Sequence, residues 1–185
     1  MVKEKIQGKR ILLSRPPSSM ETAETVFAVI DKSREAFAPW LDWVQTTTKP
    51  EDTLQFLENA NKDWNNGTHF LYAIYLEGQF IGLISAFNVA KEHKRAEIGY
   101  WLDTDYTGKG YMTEAIKLLE EELFNNDFNR IVICTDVLNT KSAKLPQSLN
   151  YTLEGVLRQD LYSEPLARFR DMNIFAKLRE HQKSL

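Results

Sequence analysis

Two glycines around a lysine, Gly108-Lys109-Gly110, stand between an aromatic, strand-like run and an amphipathic helix near the middle of the chain. Glycines there remove the Cβ atoms that hold a ligand away from the backbone. The helix that follows presents free N–H groups and the positive end of its dipole. Such a junction binds a phosphate or pyrophosphate. Three phosphate-loop patterns compete for it. A Walker loop needs GxxxxGK and then Ser or Thr, and no such string occurs. A dinucleotide fingerprint needs GxGxxG, but its third glycine position holds Thr113. The acidic Asp136 does follow the next strand, so a nucleotide-binding domain stays among the alternatives. The third pattern draws on the residues before and after the loop.

Asn139 and Ser142 stand three apart after an apolar strand at 130–138. An Asn in that place is a good N-cap for a helix, with Ser142 at its N3 position. Cys134, within the strand, reads as a small buried residue, since no local base or positive setting marks it as a nucleophile. His69 and His93 read as surface or turn residues, and His181 lies in a charged tail. No His, Cys and carboxylate spacing points to a metal. Glu120, Glu121 and Glu122 read as the solvated end of a helix.

The strings IGYWLD at 98–103, GKGYMTEA at 108–115 and RIVICTDV at 130–137, with Asn139-x-x-Ser142 and LEG at 153–155, resemble the GNAT acetyltransferases. Within them they look most like the RimJ/RimL-like group, the ribosomal-protein N-terminal acetyltransferases. APWLDWV at 38–44 and RDMNIFAKL at 170–178 extend the likeness over about residues 11–178. The resemblance implies the α/β GNAT (acyl-CoA N-acyltransferase) fold, with a mixed, mostly antiparallel central sheet flanked by helices and a splayed strand pair for the cofactor. It implies acetyl-CoA as cosubstrate and acetyl transfer to a primary amine, foremost the N-terminal α-amine of a ribosomal protein. The pantetheine arm would pair with the backbone of 98–103, which brings Tyr100, Trp101 and Leu102 to the cofactor. The family's loop, Gln or Arg, x, x, Gly, x, Gly or Ala, falls on 107–112. Gly110 matches it, whereas Thr107 and Met112 depart. Gly108, Lys109 and Tyr111 complete the expected cofactor loop, and Thr107 is too short to reach as Gln or Arg would. Asn139 would line the channel, and Ser142 or Tyr151 would stand near the sulfur as proton donor. Pro146 lacks an N–H and is expected to shorten or kink the helix that carries Ser142. Asn150 takes the place of a Gly before Tyr151, and Asn tolerates the left-handed conformation.

The acidic position of the family falls on Leu161, so the base is sought in Glu97, in Glu164 or in a bound water. A free α-amine, with a pKa of about 8, needs only a weak base, and a lysine amine near ~10.4 needs more. That contrast favours an α-amine. Two alternatives remain: a small amine acceptor (a polyamine, amino acid or amine antibiotic), or a CoA-binding protein that has lost catalysis, which Thr107 and Leu161 would explain.

The elements that must position these groups follow from patterning. The 185 residues fit one domain, 1–185, with 1–10 and 179–185 as loose ends. An apolar content of 43% against 26% charged marks a folded chain rather than a disordered one. A net charge of −3 argues against a nonspecific nucleic-acid binder. The start MVKEKIQGKR lacks the apolar core of a signal peptide, and no run approaches a membrane span, so the expected compartment is the cytoplasm, with no membrane partner. A homodimer is compatible with this reading. Strands are expected at 11–13, 70–76, 80–87, 96–103, 130–138, 152–161 and 169–177, and helices at 22–32, from Pro50 onward, at 112–124 and at 140–149. Thr48 and Glu51 are expected to form a capping box, with Leu54, Leu57 and Phe56 packed inward. Met112, Ala115, Ile116, Leu119 and Leu123 make one apolar stripe on the central helix.

Overall fold

The computed structural model describes residues 1–179. Its elements run β1 (Lys5–Gln7), β2 (Ile11–Ser14), α1 (Met20–Lys32), α2 (Arg34–Phe37), α3 (Pro50–Asn66), β3 (Phe70–Leu76), β4 (Gln79–Ala90), β5 (Arg95–Leu102), α4 (Tyr111–Asn125), β6 (Arg130–Asp136), α5 (Thr140–Ser148), β7 (Thr152–Ser163) and β8 (Arg168–Leu178). All eight strands share one sheet in the order β1-β2-β3-β4-β5-β6-β8-β7. Every neighbouring pair is antiparallel except β5 and β6.

Helices cover both faces, and each face has its own core. The stripe of α4 lies entirely buried against Ile11, Ile74, Ile98 and Ile131 on one side. On the other, Ala23, Val26 and Ile30 of α1 and Leu57 and Ala60 of α3 pack over Leu71, Ala73 and Leu83. The β3–β4 connection is a two-residue turn. Glu77 and Gly78 both adopt positive φ, 50° and 84°, which matches the twist of the strands they join.

The exceptional pair positions the site. β5 and β6 are paired at Arg95/Arg130, Ala96/Ile131 and Glu97/Val132 only, yet β5 runs on to Leu102 and β6 to Asp136. Past Glu97 the two parallel strands therefore diverge, and one edge of β5 is left without a strand partner. β7 forms an outer edge of the sheet and turns Leu153, Val156, Leu157 and Leu161 to solvent.

Four expectations need correction. The first ten residues are not loose: Lys5–Gln7 pairs with β2, Val2 is buried, and Tyr72 donates its hydroxyl to the Lys3 carbonyl at 2.6 Å. Glu122 is not solvated but only 4% exposed, and its carboxylate accepts the Lys3 N–H at 2.9 Å. The α3 cap uses Asp52 rather than Glu51, with one carboxylate oxygen accepting from Thr48 N at 2.9 Å and Lys49 N at 3.1 Å. Phe56 faces outward, because the inward stripe of α3 passes through Thr53, Leu57 and Ala60. His181 lies outside the described residues. Among those residues no helix is long and apolar enough to cross a membrane.

Candidate active site

The loop after β5 forms from its own side chains. The Asp103 carboxylate accepts the Asp105 N–H, and the Thr107 hydroxyl donates to the Thr104 carbonyl at 2.9 Å. Thr107 thus closes the turn. Lys109 reaches back to the Asp105 carbonyl at 2.8 Å and lies 5.4 Å from the centre of the Tyr106 ring. Gly108 and Gly110 have φ of 74° and 80°, the left-handed region that other residues rarely adopt. Open space surrounds Gly108, so conformation rather than crowding requires glycine there. Gly110 caps α4 without a side chain, which leaves the first N–H groups of that helix unclaimed by any cap. Successive amides around two left-handed residues, at a helix start, make a concave anion site.

Arg10, from the turn between β1 and β2, clasps this loop from behind. Its guanidinium donates to the Lys109 carbonyl at 3.0 Å and the Gly110 carbonyl at 3.2 Å, and lies 4.8 Å from the centre of the Tyr111 ring. Glu114 holds Arg10 in turn, accepting from Nε and from the backbone N–H, both at 2.8 Å. Burial pushes the Glu114 carboxyl up, but the Arg10 N–H groups outweigh it and hold the group below its ordinary value. With the carbonyls turned toward Arg10, the amides are free for a ligand. Nothing local in the sequence marks Arg10, because its partners lie about a hundred residues away.

The diverging strands place Tyr100 opposite Ser142. Side chains alternate along β5, so Tyr100 and Leu102 face the α4 side and Glu97, Gly99 and Trp101 face the other. The Tyr100 hydroxyl lies 3.3 Å from Ser142 Oγ and 3.4 Å from the Ser142 carbonyl. Asn139 accepts the Ser142 N–H at 3.1 Å, the capping role, and fixes the start of α5. Pro146 sits inside α5 without ending it. Burial pushes the Tyr100 phenol up to about 12, against the opposing pull of Ser142, so it keeps its proton at neutral pH. Tyr151 follows the left-handed Asn150 (φ 62°), as that asparagine allows. Its hydroxyl is buried with no hydrogen-bond partner, and burial and then the Glu120 charge push the phenol upward. Ser142 and Tyr100 thus form one pair, and Tyr151 stands apart from it.

On the other face of β5 lies a cavity of about 640 Å³. Gly99, Tyr100 and Trp101 form its floor, Leu71, Leu83 and Phe87 its sides, and α1 and α3 close it with Ile30 and Thr53. Trp101 packs in a cluster with Phe37, Trp43 and Phe80, ring centres 5.4 to 6.4 Å away. A Cβ on Gly99 would lie 2.8 Å from the Phe87 ring, so glycine lets that ring lie flush on the strand. Glu97 shares this face of β5 and accepts from Asn88 Nδ2 at 3.0 Å. Cys134 is half-buried, and burial, then the Glu97 and Asp160 charges, push its thiol up to about 12, which keeps it protonated. His69 stands in the turn between α3 and β3 and is only partly exposed: it lines the cavity, its Nε2 is buried without a partner, and burial lowers its pKa. His93 is exposed, in a short turn before β5. Among the described residues no group of three or more His, Cys, Asp and Glu is placed to hold a metal ion.

Residues 10–152 match the family of the acetyltransferase (GNAT) domain. The ribosomal-protein-serine acetyltransferase of Escherichia coli (strain K12) is 27% identical over 158 residues, 85% of this chain and 87% of that protein. The solved structure of the microcin C7 self immunity acetyltransferase MccE, in complex with acetyl-CoA and AMP, is 28% identical with a TM-score of 0.87, over 92% of this chain and 93% of that one. RimL, a ribosomal L7/L12 alpha-N-protein acetyltransferase in complex with coenzyme A, is 25% identical with a TM-score of 0.88, over 95% and 98%. The amide nest before α4 suits a pyrophosphate, and the free edge of β5 suits the amides of a pantetheine arm. The chain belongs to the GNAT acetyltransferase family and is an N-acetyltransferase with acetyl-CoA as its cosubstrate.

Proposed function

We propose that the acceptor is the N-terminal α-amine of a protein, of the ribosomal-protein kind, and that it enters through the cavity on the α1/α3 face of β5. The observation that carries this reading is the cavity's lining. Asp52 is its one acidic side chain, and that carboxylate is already engaged by the Thr48 and Lys49 N–H groups. A polyamine or polycationic antibiotic would bury several charges there without partners, at a cost of several kcal/mol per ion by order of magnitude. A single α-amine, neutral when it attacks, avoids that cost.

The residues take roles on either side of β5. Residues 107–112 hold the pyrophosphate through their backbone, and Tyr100, Trp101 and Leu102 offer main-chain groups to the pantetheine. The amine nitrogen attacks the thioester carbonyl from the cavity side, and the carbon–sulfur bond breaks toward Ser142 and Tyr100. Those hydroxyls hydrogen-bond the departing thiolate. A thiolate is a weaker base than either hydroxyl's conjugate base, so their contribution is charge stabilisation, and the proton released by nitrogen balances the one sulfur finally takes. Glu97, on the cavity face, receives the amine proton directly or through water. Tyr151, whose buried hydroxyl has no partner, is the alternative donor to the sulfur. The apolar outer face of β7 supports a homodimer in solution, which sedimentation at micromolar concentration measures.

Release of free thiol, with acetyl-CoA held constant, tests the acceptor. Short peptides with free N-termini should exceed blocked lysine peptides, spermidine and an aminoglycoside by at least about tenfold in kcat/KM, or roughly 1.4 kcal/mol. A reversed order rejects the N-terminal reading and keeps the acetyltransferase, whereas thiol release with none of these amines supports a CoA-binding protein without catalysis.

A further inference from the structure

We infer that the cavity is a side-chain pocket that selects acceptors whose first residue is large and apolar, aromatic above all. This rests on the proposed N-terminal acceptor and adds to it the identity of the residue that bears the amine. The argument begins with size. A cavity of about 640 Å³ exceeds what a serine or alanine can fill, and unfilled apolar space forfeits the dispersion contacts of its lining. The walls are Leu41, Leu71, Leu83, Phe87, Trp43 and Trp101, and they offer little polar surface. Specific pockets of this size are apolar with a few placed polar groups.

Those polar groups are present and lack protein partners. Thr53 is 2% exposed, and its Oγ1 has no hydrogen-bond partner. His69 Nε2 is buried in the same lining, also without one. A buried polar atom without a partner is costly, and most native ones are satisfied. Thr53 and His69 thus give the apolar lining a small polar content, which suits a peptide backbone beside an apolar side chain. At the mouth, Trp43 and Phe56 are about 40% exposed, which is where an entering ring would stack. The floor is Gly99 and Tyr100, so a side chain held in this cavity brings its own α-amine to the strand that meets the thioester.

The test is a set of peptides identical but for the first residue, Ser, Ala, Leu, Phe or Tyr, assayed by thiol release with acetyl-CoA. Phe- and Tyr-first peptides should exceed Ser-first by about tenfold or more in kcat/KM, with Leu between. Trp43→Ala and Phe56→Ala, each checked for an unchanged denaturation midpoint, should each shrink the Phe-to-Ser ratio several-fold. Thr53→Val should raise KM for the Phe-first peptide more than it lowers kcat. Equal or better turnover of Ser- or Ala-first peptides overturns the side-chain pocket and leaves the N-terminal reading standing. Turnover of no free-N-terminus peptide, with a small amine accepted instead, overturns both.

Discussion

Tyr100 links the two faces of the sheet through one residue: its backbone lies on the free edge of β5 and its hydroxyl touches Ser142. Both hydroxyls are expected to serve the leaving sulfur. Ser142→Ala and Tyr100→Phe should each lower kcat by about ten- to a hundredfold while KM for acetyl-CoA moves less than threefold. The double variant should cost less than the product of the two, since the pair acts as a unit. Stopped-flow thiol release separates kcat from KM. His69 makes a different prediction, in pH. Burial lowers its folded pKa below the ordinary 6.5, so the unfolded chain takes up the proton first as pH falls. Stability contributed by neutral His69 is therefore present above about pH 6.5, is lost as pH drops from there toward the folded pKa, and then levels off. Urea titrations at pH 7.5 and 5.5 should show this loss, and His69→Gln should flatten it.

The segment 38–44 shows how distant charges anchor an element whose own backbone hydrogen bonds are all short-range turns. Arg170 of β8 is 5% exposed and pairs with Asp136 of β6 at 2.8 Å. It also donates to the Trp40 carbonyl at 3.1 Å and faces Asp42 at 3.5 Å. Ser163 adds a bond to Asp42 at 2.7 Å. Arg170→Met should cost up to about 3–5 kcal/mol by leaving the buried Asp136 with only the longer Arg168 pair at 3.7 Å, and should free the Trp43 side of the cavity. Asp136→Asn in the same chain should restore part of that loss, as read from denaturant midpoints. The comparison with the sequence follows the same lines. The stripe of α4, the hairpin at Glu77 and Gly78, and the GKG loop are legible because each is local and periodic. The anchoring of residues 1–10 is not, because the three residues of β1 are too few to show a period; the Arg10 clasp and the burial of Glu122 are not, because each partner lies about a hundred residues off and leaves no spacing to read. His69 escapes for the same reason: its neighbours Phe87 and Gly99 belong to other strands.

At the scale of the molecule, the anion nest, the free strand edge and the cavity all meet on β5 and the loop that follows it. Binding at the nest should therefore stabilise the whole fold. Acetyl-CoA at about a hundred times its Kd should add roughly 2.7 kcal/mol. Gly110→Glu, which sets a charge and a side chain against a left-handed position, should remove most of that gain; a normal acetyl-CoA shift in the variant, read by calorimetry, would place the nest elsewhere.

The strand order also has a temporal side. β8, the last of the described strands in chain order, is not an edge but lies between β6 and β7. At a translation rate of roughly 5–20 residues per second, the thirty-odd residues from the end of β6 to the start of β8 leave β6 as an open edge for about 2–6 s, and β7, finished only just before β8 begins, waits without a neighbour for roughly the last second or less. During that interval the apolar row of β7 has no strand beside it. A nascent chain stalled before Arg168 should then be a chaperone client and a protease target, whereas one released past Leu178 closes the sheet.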